Sequence, residues 1–307
     1  MTLRIIQTGF VLAAVYNLIW GLVIVLNPDL FFRPLGLPPA RYPFLVAGIG
    51  LFVALYACGY YLVAARPDRY PVLALIGLLG KTLGPLGWWM YVQAGALPLR
   101  SMWINVGNDL IWLPLFGLYF FWLNSSARFA AGRAYPTLPG WEFTHLSAAL
   151  RDFHGRPDVV HAQGRFWIRR GRGGMARMLA ALGGFRTDAE ARELRLTVRP
   201  LANGEIWIRD FDGRPRFITR QFTYQSLLYE VAGPLIFEFR LEFTHTGFVF
   251  VQQRCLLRWL WLDVWPAPCI KARVRAASSG WVVRVGVHVP VIGRILTYGG
   301  RVWGPTN

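Results

Sequence analysis

Two ionisable residues stand inside otherwise apolar runs: Lys81, in GLLGKTLGPLG (Gly77–Gly87), and Asp109, in NVGNDLIW (Asn105–Trp112) beside Asn108. An isolated charge is costly within a hydrocarbon core, so each is the other's expected partner, with Asn17 from an earlier run as a further member of the cluster. Counting ~1.5 Å per residue from a shared loop puts the two charges about 8 Å apart in depth, a gap that a lysine stem and helix tilt can close. One chemistry for such a cluster is a polar pocket for a quinone, a lipid headgroup or a proton. The other reading is a buried pair that fixes helix packing, helped by close approach at Gly77, Gly80, Gly84 and Gly87.

A second set lies in the rear half. Trp207 and Arg209 share one face of GEIWIRDF (Gly204–Phe211), with Glu205 two residues before Trp207, and His288 and Tyr298 follow late in the chain. If that face points into a barrel, an aromatic-lined pocket with one guanidinium suits an amphipathic acid or lipid. The alternative places Trp207 in a core and Arg209 at a polar rim, paired to a strand carboxylate.

Other chemistries are poorly served. The three cysteines and five histidines show no CxxC, HxxxH or HExxH spacing, so no metal is expected. The glycine-rich run Arg170–Gly174 precedes a helical pattern, but it matches neither GxGxxG nor GxxxxGK[ST], and no GxSxG elbow is present. No cofactor is expected. The formal net charge of +17 invites nucleic acid, yet the rear arginines alternate with apolar residues along strands instead of forming a helical stripe. Attraction to an anionic leaflet explains the charge more simply, so the expected partner is a membrane and not nucleic acid.

The elements that must hold these residues fall into two halves. Hydrophobic residues make up 54% of the 307 and charged ones 16%, which excludes a disordered chain. Four apolar runs, at about 5–26, 44–65, 72–94 and 102–123, are each long enough for a helix to cross a ~30 Å core. They lack a polar stripe at helical period, prolines break the chain between them, and Trp and Tyr gather toward their ends. Residues 1–126 therefore read as a four-helix transmembrane domain with an uncleaved first span. Arg4, Arg66, Arg69, Arg128 and Arg133 against Arg33, Arg41 and Arg100 place both termini in the cytoplasm.

Residues 127–149, with Pro136, Pro139 and Gly140, read as a linker. From 150 to 303, period-two alternation takes over, clearest in Phe237–Phe243 and Val283–Val289. Turn signals, among them Asn203-Gly204, Asp212-Gly213, Gly233-Pro234 and Ser278-Ser279-Gly280, separate about nine strands. The expected fold is an antiparallel β-barrel or a strongly curved sheet. One amphipathic helix interrupts it, with Met175, Met178, Leu179 and Leu182 on a face framed by Gly171–Gly174 and Gly183-Gly184. It is read as a lid on the barrel, as a helix lying against a bilayer with Arg172 and Arg177 outward, or as one packed across an end of the sheet.

The segments GRFWIRRG (Gly164–Gly171), GEIWIRDF (Gly204–Phe211), EVAGPLIFEFRL (Glu230–Leu241) and PVIGRILTYGGRV (Pro290–Val302) resemble, in kind and order, the bacterial domain of unknown function 4166. That resemblance supplies no activity and no catalytic residues; it implies neighbouring modules such as membrane segments or dehydrogenase-like domains, and the setting expected for the whole chain is a bacterial inner membrane. The front half more loosely resembles DoxX-like four-helix membrane proteins, through topology and the Gly80-Lys81 and Asn108-Asp109 positions. The leading functional expectation is a cytoplasmic β-domain that binds a lipid or other hydrophobic small molecule. The alternatives are an enzyme acting on a membrane-soluble quinone or isoprenoid, with Lys81 and Asp109 or barrel acids in acid–base roles, and a scaffold that recruits a partner oxidoreductase.

Overall fold

The computed structural model describes residues 2–125, 128–139, 146–211 and 216–303, and it divides into two compact units, Met1–Ser125 and Ser126–Asn307. Gly140 and the expected Asp212-Gly213 turn lie outside the described residues.

The front unit holds four helices long and apolar enough to cross a membrane. The first three are α1 (Thr2–Leu26), α3 (Pro43–Ala65) and α4 (Pro71–Gln93), with a one-turn α2 (Phe32–Leu35) after the first. Pro43 and Pro71 open their helices, where a missing N–H costs nothing. Backbones approach most closely between α1 and α3, where a Cβ on Gly21 would lie 2.4 Å from the Gly50 carbonyl oxygen. Gly77 is packed tightly against the Tyr60 ring, whereas Gly87, also expected at a close approach, has open space. Phe10, Tyr60, Phe116 and Tyr119 form the aromatic centre of the bundle.

The fourth span, expected as one helix over 102–123, is broken in the middle. It runs as a 3₁₀ turn (Leu99–Ser101), α5 (Met102–Asn108), a second 3₁₀ turn (Leu110–Trp112) and α6 (Leu113–Asn124). Pro114, at the start of α6, has no N–H to give the Leu110 carbonyl, which disfavours continuous α-helix there. The Trp112 N–H bonds the Asp109 carbonyl instead of reaching back to Asn108, so the Asn108 carbonyl is released.

The rear unit is a closed antiparallel β-barrel. Its strands are β1 (Val160–Arg170), β2 (Ala189–Pro200), β3 (Glu205–Phe211), β4 (Arg216–Tyr224), β5 (Leu227–Ala232), β6 (Leu235–Thr244), β7 (Gly247–Leu257), a two-residue β8 (Leu262–Asp263), β9 (Cys269–Ala276), β10 (Trp281–Val289) and β11 (Gly293–Trp303). Each strand pairs with its neighbour in sequence, except that β9 continues from β7 with β8 beside it, and the β1–β11 pairing closes a ring of ten. Closure removes both sheet edges. The hairpin between β4 and β5 lacks a glycine turn: Gln225 and Ser226 both take positive φ, and without an Asn-Gly signal β5 was not expected from sequence.

Helix α7 (Ala148–Gly155) sits at the barrel end where β1 begins, and α8 (Gly174–Leu182) at the end where β1 finishes. Ser147 caps α7 by accepting from the Leu150 N–H at 3.4 Å, and Leu150, Phe153 and His154 fall on its buried face. In α8 it is Ala176 and Ala180 that are buried, while Met175, Met178 and Leu182 are exposed, so the readings that pack this apolar face against the barrel do not hold. The physical reason is close packing: a Cβ on neighbouring Gly171 would lie 2.0 Å from the Arg294 carbonyl oxygen and 2.6 Å from the Ala176 Cβ, so only small residues fit beneath the helix.

Residues 128–139, within the stretch expected as a linker, are part of the barrel. Ala134, Tyr135 and Leu138 belong to its core, and Phe129 stacks on Phe222 at 3.7 Å on the outer wall. Together with Trp261 they cover the outer face of β4–β6. Glu238, on the charged face of the alternating β6 pattern, is therefore buried and accepts from the Tyr229 hydroxyl at 2.9 Å.

Candidate functional site

The inward residues of β3 are Glu205, Trp207, Arg209 and Phe211, because a strand alternates its faces. They form a ladder down the barrel wall. Glu205, at the α7 end, is fully buried. It accepts from Arg133 Nε at 2.6 Å and from Trp207 Nε1 at 2.8 Å. Arg133 Nη1 also donates to the Arg156 carbonyl at 2.7 Å, which ties the segment before α7 to the segment after it. Above this pair, Tyr135 and His154 pack ring to ring at 3.9 Å, and Phe153 meets Trp281 at 4.7 Å. The α7 end is thus plugged. Burial, reinforced by the Arg133 charge, holds the His154 imidazole well below the ordinary histidine range. Burial, with Glu205 and Glu230 nearby, pushes the Tyr135 hydroxyl well up.

Toward the middle the interior opens into a cavity of about 160 Å³. Its walls are mostly apolar, with Phe166, Phe211, Phe237, Val285, Val287 and Leu296 among them. A polar cluster stands on one side: Arg209 Nη1 donates to Thr219 at 2.8 Å and Nη2 to Glu230 at 3.3 Å. The guanidinium also lies 5.0 Å from the Trp207 ring centre and 5.3 Å from that of Phe217. Gln221 lines the same space, and its side-chain oxygen has no hydrogen-bond partner among the described residues. At the α8 end Phe185 closes over the cavity, 5.2 Å from Tyr298 and 5.7 Å from Phe211. Burial raises the Tyr298 hydroxyl to about 12, so it is a neutral donor at any physiological pH.

Of the rear-half residues singled out from sequence, Trp207, Arg209 and Tyr298 line the cavity. Glu205 is inward but committed to Arg133 at the plugged end. His288 is exposed on the outer face of β10, opposite the inward Val283, Val285 and Val287. Glu230, Gln221, Tyr135 and His154 were missed. The last two come from the linker stretch and from α7, whose Leu150/Phe153/His154 spacing at i, i+3 and i+4 was the available signal.

In the front unit, Lys81 Nζ lies 3.1 Å from Asp109 Oδ1, 3.3 Å from Asn17 Oδ1 and 2.7 Å from the carbonyl oxygen released at Asn108. Those three acceptors use all three ammonium protons. Asn108 Nδ2 donates to the same Asp109 oxygen at 2.8 Å, and Asn17 donates to the Ala13 carbonyl at 2.8 Å. The four residues form one linked cluster joining α1, α4 and the break in the fourth span.

Among the described residues no group of three or more His, Cys, Asp or Glu side chains stands close enough to hold a metal ion. Residues 146–302 match the domain of unknown function DUF4166, a range that takes in α7 and nearly all of the barrel but leaves out Arg133 and Tyr135. No curated protein and no solved structure matches the chain.

Proposed function

The chain belongs to the family of domain of unknown function 4166, and we propose that it is a membrane-anchored protein whose barrel binds one hydrophobic small molecule or lipid chain with a polar end group. The carrying observation is the interior cavity, apolar on most sides and polar at Arg209, Glu230 and Gln221. Ligand sites of this type pair an apolar lining with a few convergent polar groups that fix orientation. At about 160 Å³ the space is on the order of one that accepts a benzene-sized guest, so it suits a single ring or slender chain and not a whole two-chain phospholipid. The open Gln221 oxygen accepts a hydroxyl or amide proton, and Arg209 offers a charge-assisted bond to a carboxylate.

The setting proposed for the four helices is a bacterial inner membrane, with both termini and the barrel on the cytoplasmic side. The flanking arginines and the excess of positive charge after the fourth span support that orientation. The acid–base reading of Lys81 and Asp109 gains no support from their geometry, since every ammonium proton is engaged and the pair ties three helices together.

A titration tests the binding reading. A barrel fragment of residues 126–307 is titrated calorimetrically with a medium-chain fatty acid, a slender chain with one carboxylate. Saturable binding at one site is expected. Arg209→Gln should weaken the carboxylate probe by about tenfold or more, the worth of a hydrogen bond to a charged group. A flat titration of the folded fragment would sink the proposal.

A further inference from the structure

The two ends of the barrel differ in surface chemistry. At the α7 end the exposed turn residues are mostly polar, Gln225, Ser226, His245, Thr246, Ser278 and Ser279, and the large apolar side chains exposed there, Val159 and Trp303, are 47% and 40% exposed. At the α8 end the connections expose large apolar side chains instead. Leu182 is 77% exposed on α8, Val291 fully exposed at the tip of the β10–β11 hairpin, and Trp265 is 92% exposed between β8 and β9. Met175, Met178, Ile292 and Trp259 add to them. The strands these connections join, β2, β1, β11, β10, β9 and β7, follow one another around the ring, so the apolar residues form one continuous arc of rim.

Exposed charge on the same arc is predominantly positive. Arg172, Arg177, Arg186, Arg258 and Arg294 are exposed there. The acidic residues of the described connections at this end, Asp188 and Asp263, are each engaged by an arginine, Arg170 and Arg254. Apolar tips that cost free energy in water, ringed by arginines, match the layered chemistry of an anionic bilayer surface: acyl chains inside, phosphates around them. A protein partner with an apolar face would need acidic residues to complement the same ring, whereas a bilayer supplies both layers.

We propose that the α8 end of the barrel docks onto an anionic lipid surface, with Leu182, Val291 and Trp265 entering the headgroup boundary and the arginines contacting lipid phosphates. The proposal concerns the outer rim and stands whether or not the cavity holds a ligand.

The full chain is reconstituted into vesicles of mixed phosphatidylcholine and phosphatidylglycerol. Spin labels are placed through Leu182→Cys, Val291→Cys and, as a control at the opposite end, Ser278→Cys. Cys58 and Cys269 are first replaced by Ala, while Cys255, buried in the barrel, is left in place. Labels at 182 and 291 are expected to be accessible to oxygen and shielded from a water-soluble nickel chelate, and the label at 278 to show the reverse. Replacing Arg172, Arg177 and Arg258 by Gln should lower the ratio of docked to undocked barrel about fivefold per arginine, and high salt should act in the same direction. Aqueous accessibility at both 182 and 291 in anionic vesicles overturns the proposal. So does label–label broadening at 291 that persists without anionic lipid, which would assign the rim to a second copy of this chain.

Discussion

Removing Arg133 should unfasten the plugged end of the barrel. Its Nε meets Glu205 at 2.6 Å, and the two side chains are 5% and 0% exposed, so neither charge has water as an alternative partner. Arg133→Met keeps much of the stem but leaves the Glu205 carboxylate with the Trp207 indole as its remaining donor. Truncating one member of a buried pair typically costs about 3–5 kcal/mol, chiefly because the other charge stays buried and unpaired. In urea, with a slope of about 2 kcal/mol per molar for a unit of this size, the midpoint of the 126–307 fragment should fall by about 2 M. The double variant Arg133→Met/Glu205→Leu should recover at least 2 kcal/mol relative to the sum of the singles, a coupling of the size seen for residues in direct contact. A fragment begun at residue 140 lacks both Arg133 and Tyr135 and should not fold cooperatively. If Arg133→Met unfolds within about 0.5 kcal/mol of the parent, as an ordinary surface substitution would, the pair does not close the barrel and the reasoning fails.

Two other outcomes follow from the buried groups. For Lys81 and Asp109, each of Lys81→Met and Asp109→Asn should lower thermal stability in detergent and the double variant should regain most of it; additive losses would mean the two act separately. For His154, the native imidazole is held below its ordinary value of 6.5, so beneath that pH the unfolded chain takes up a proton that the folded chain refuses. The barrel should therefore be fully stable above pH 6.5 and lose up to about 1.4 kcal/mol per pH unit as pH falls below it, with a shallower slope in His154→Phe; an unchanged slope in that variant assigns the acid sensitivity to other groups.

How much was legible in the sequence depended on whether a residue's neighbours were local. The four apolar runs and the alternation in β3, β6 and β10 carry their own period, so helices, strands and the shared face of Trp207 and Arg209 were readable, though not the direction in which that face points. The break at Asp109 was not, although Pro114 stood in view, because hydropathy is blind to where a carbonyl loses its donor. The stretch before α7 read as a linker because Pro136 and Pro139 mark irregular backbone, and irregular backbone can still fill a barrel mouth. Glu205 looked like a cavity acid until Arg133, 72 residues earlier, was found against it. His288 shared a strand with inward valines, but its place in the alternation turns it outward. The α8 pattern showed an apolar face without saying whether it meets the barrel or a bilayer, and the close approach at Gly171 explains why Ala176 and Ala180 are the residues buried against the barrel.

The central claim, a hydrophobic occupant in the barrel, is tested most directly by native mass spectrometry of the 126–307 fragment, purified without detergent from a bacterial host. A single added mass is expected, extractable into organic solvent and lost in Val285→Trp, which fills the cavity without touching the Arg133–Glu205 pair. A folded fragment that carries no added mass, both as purified and after incubation with a membrane lipid extract, would contradict it.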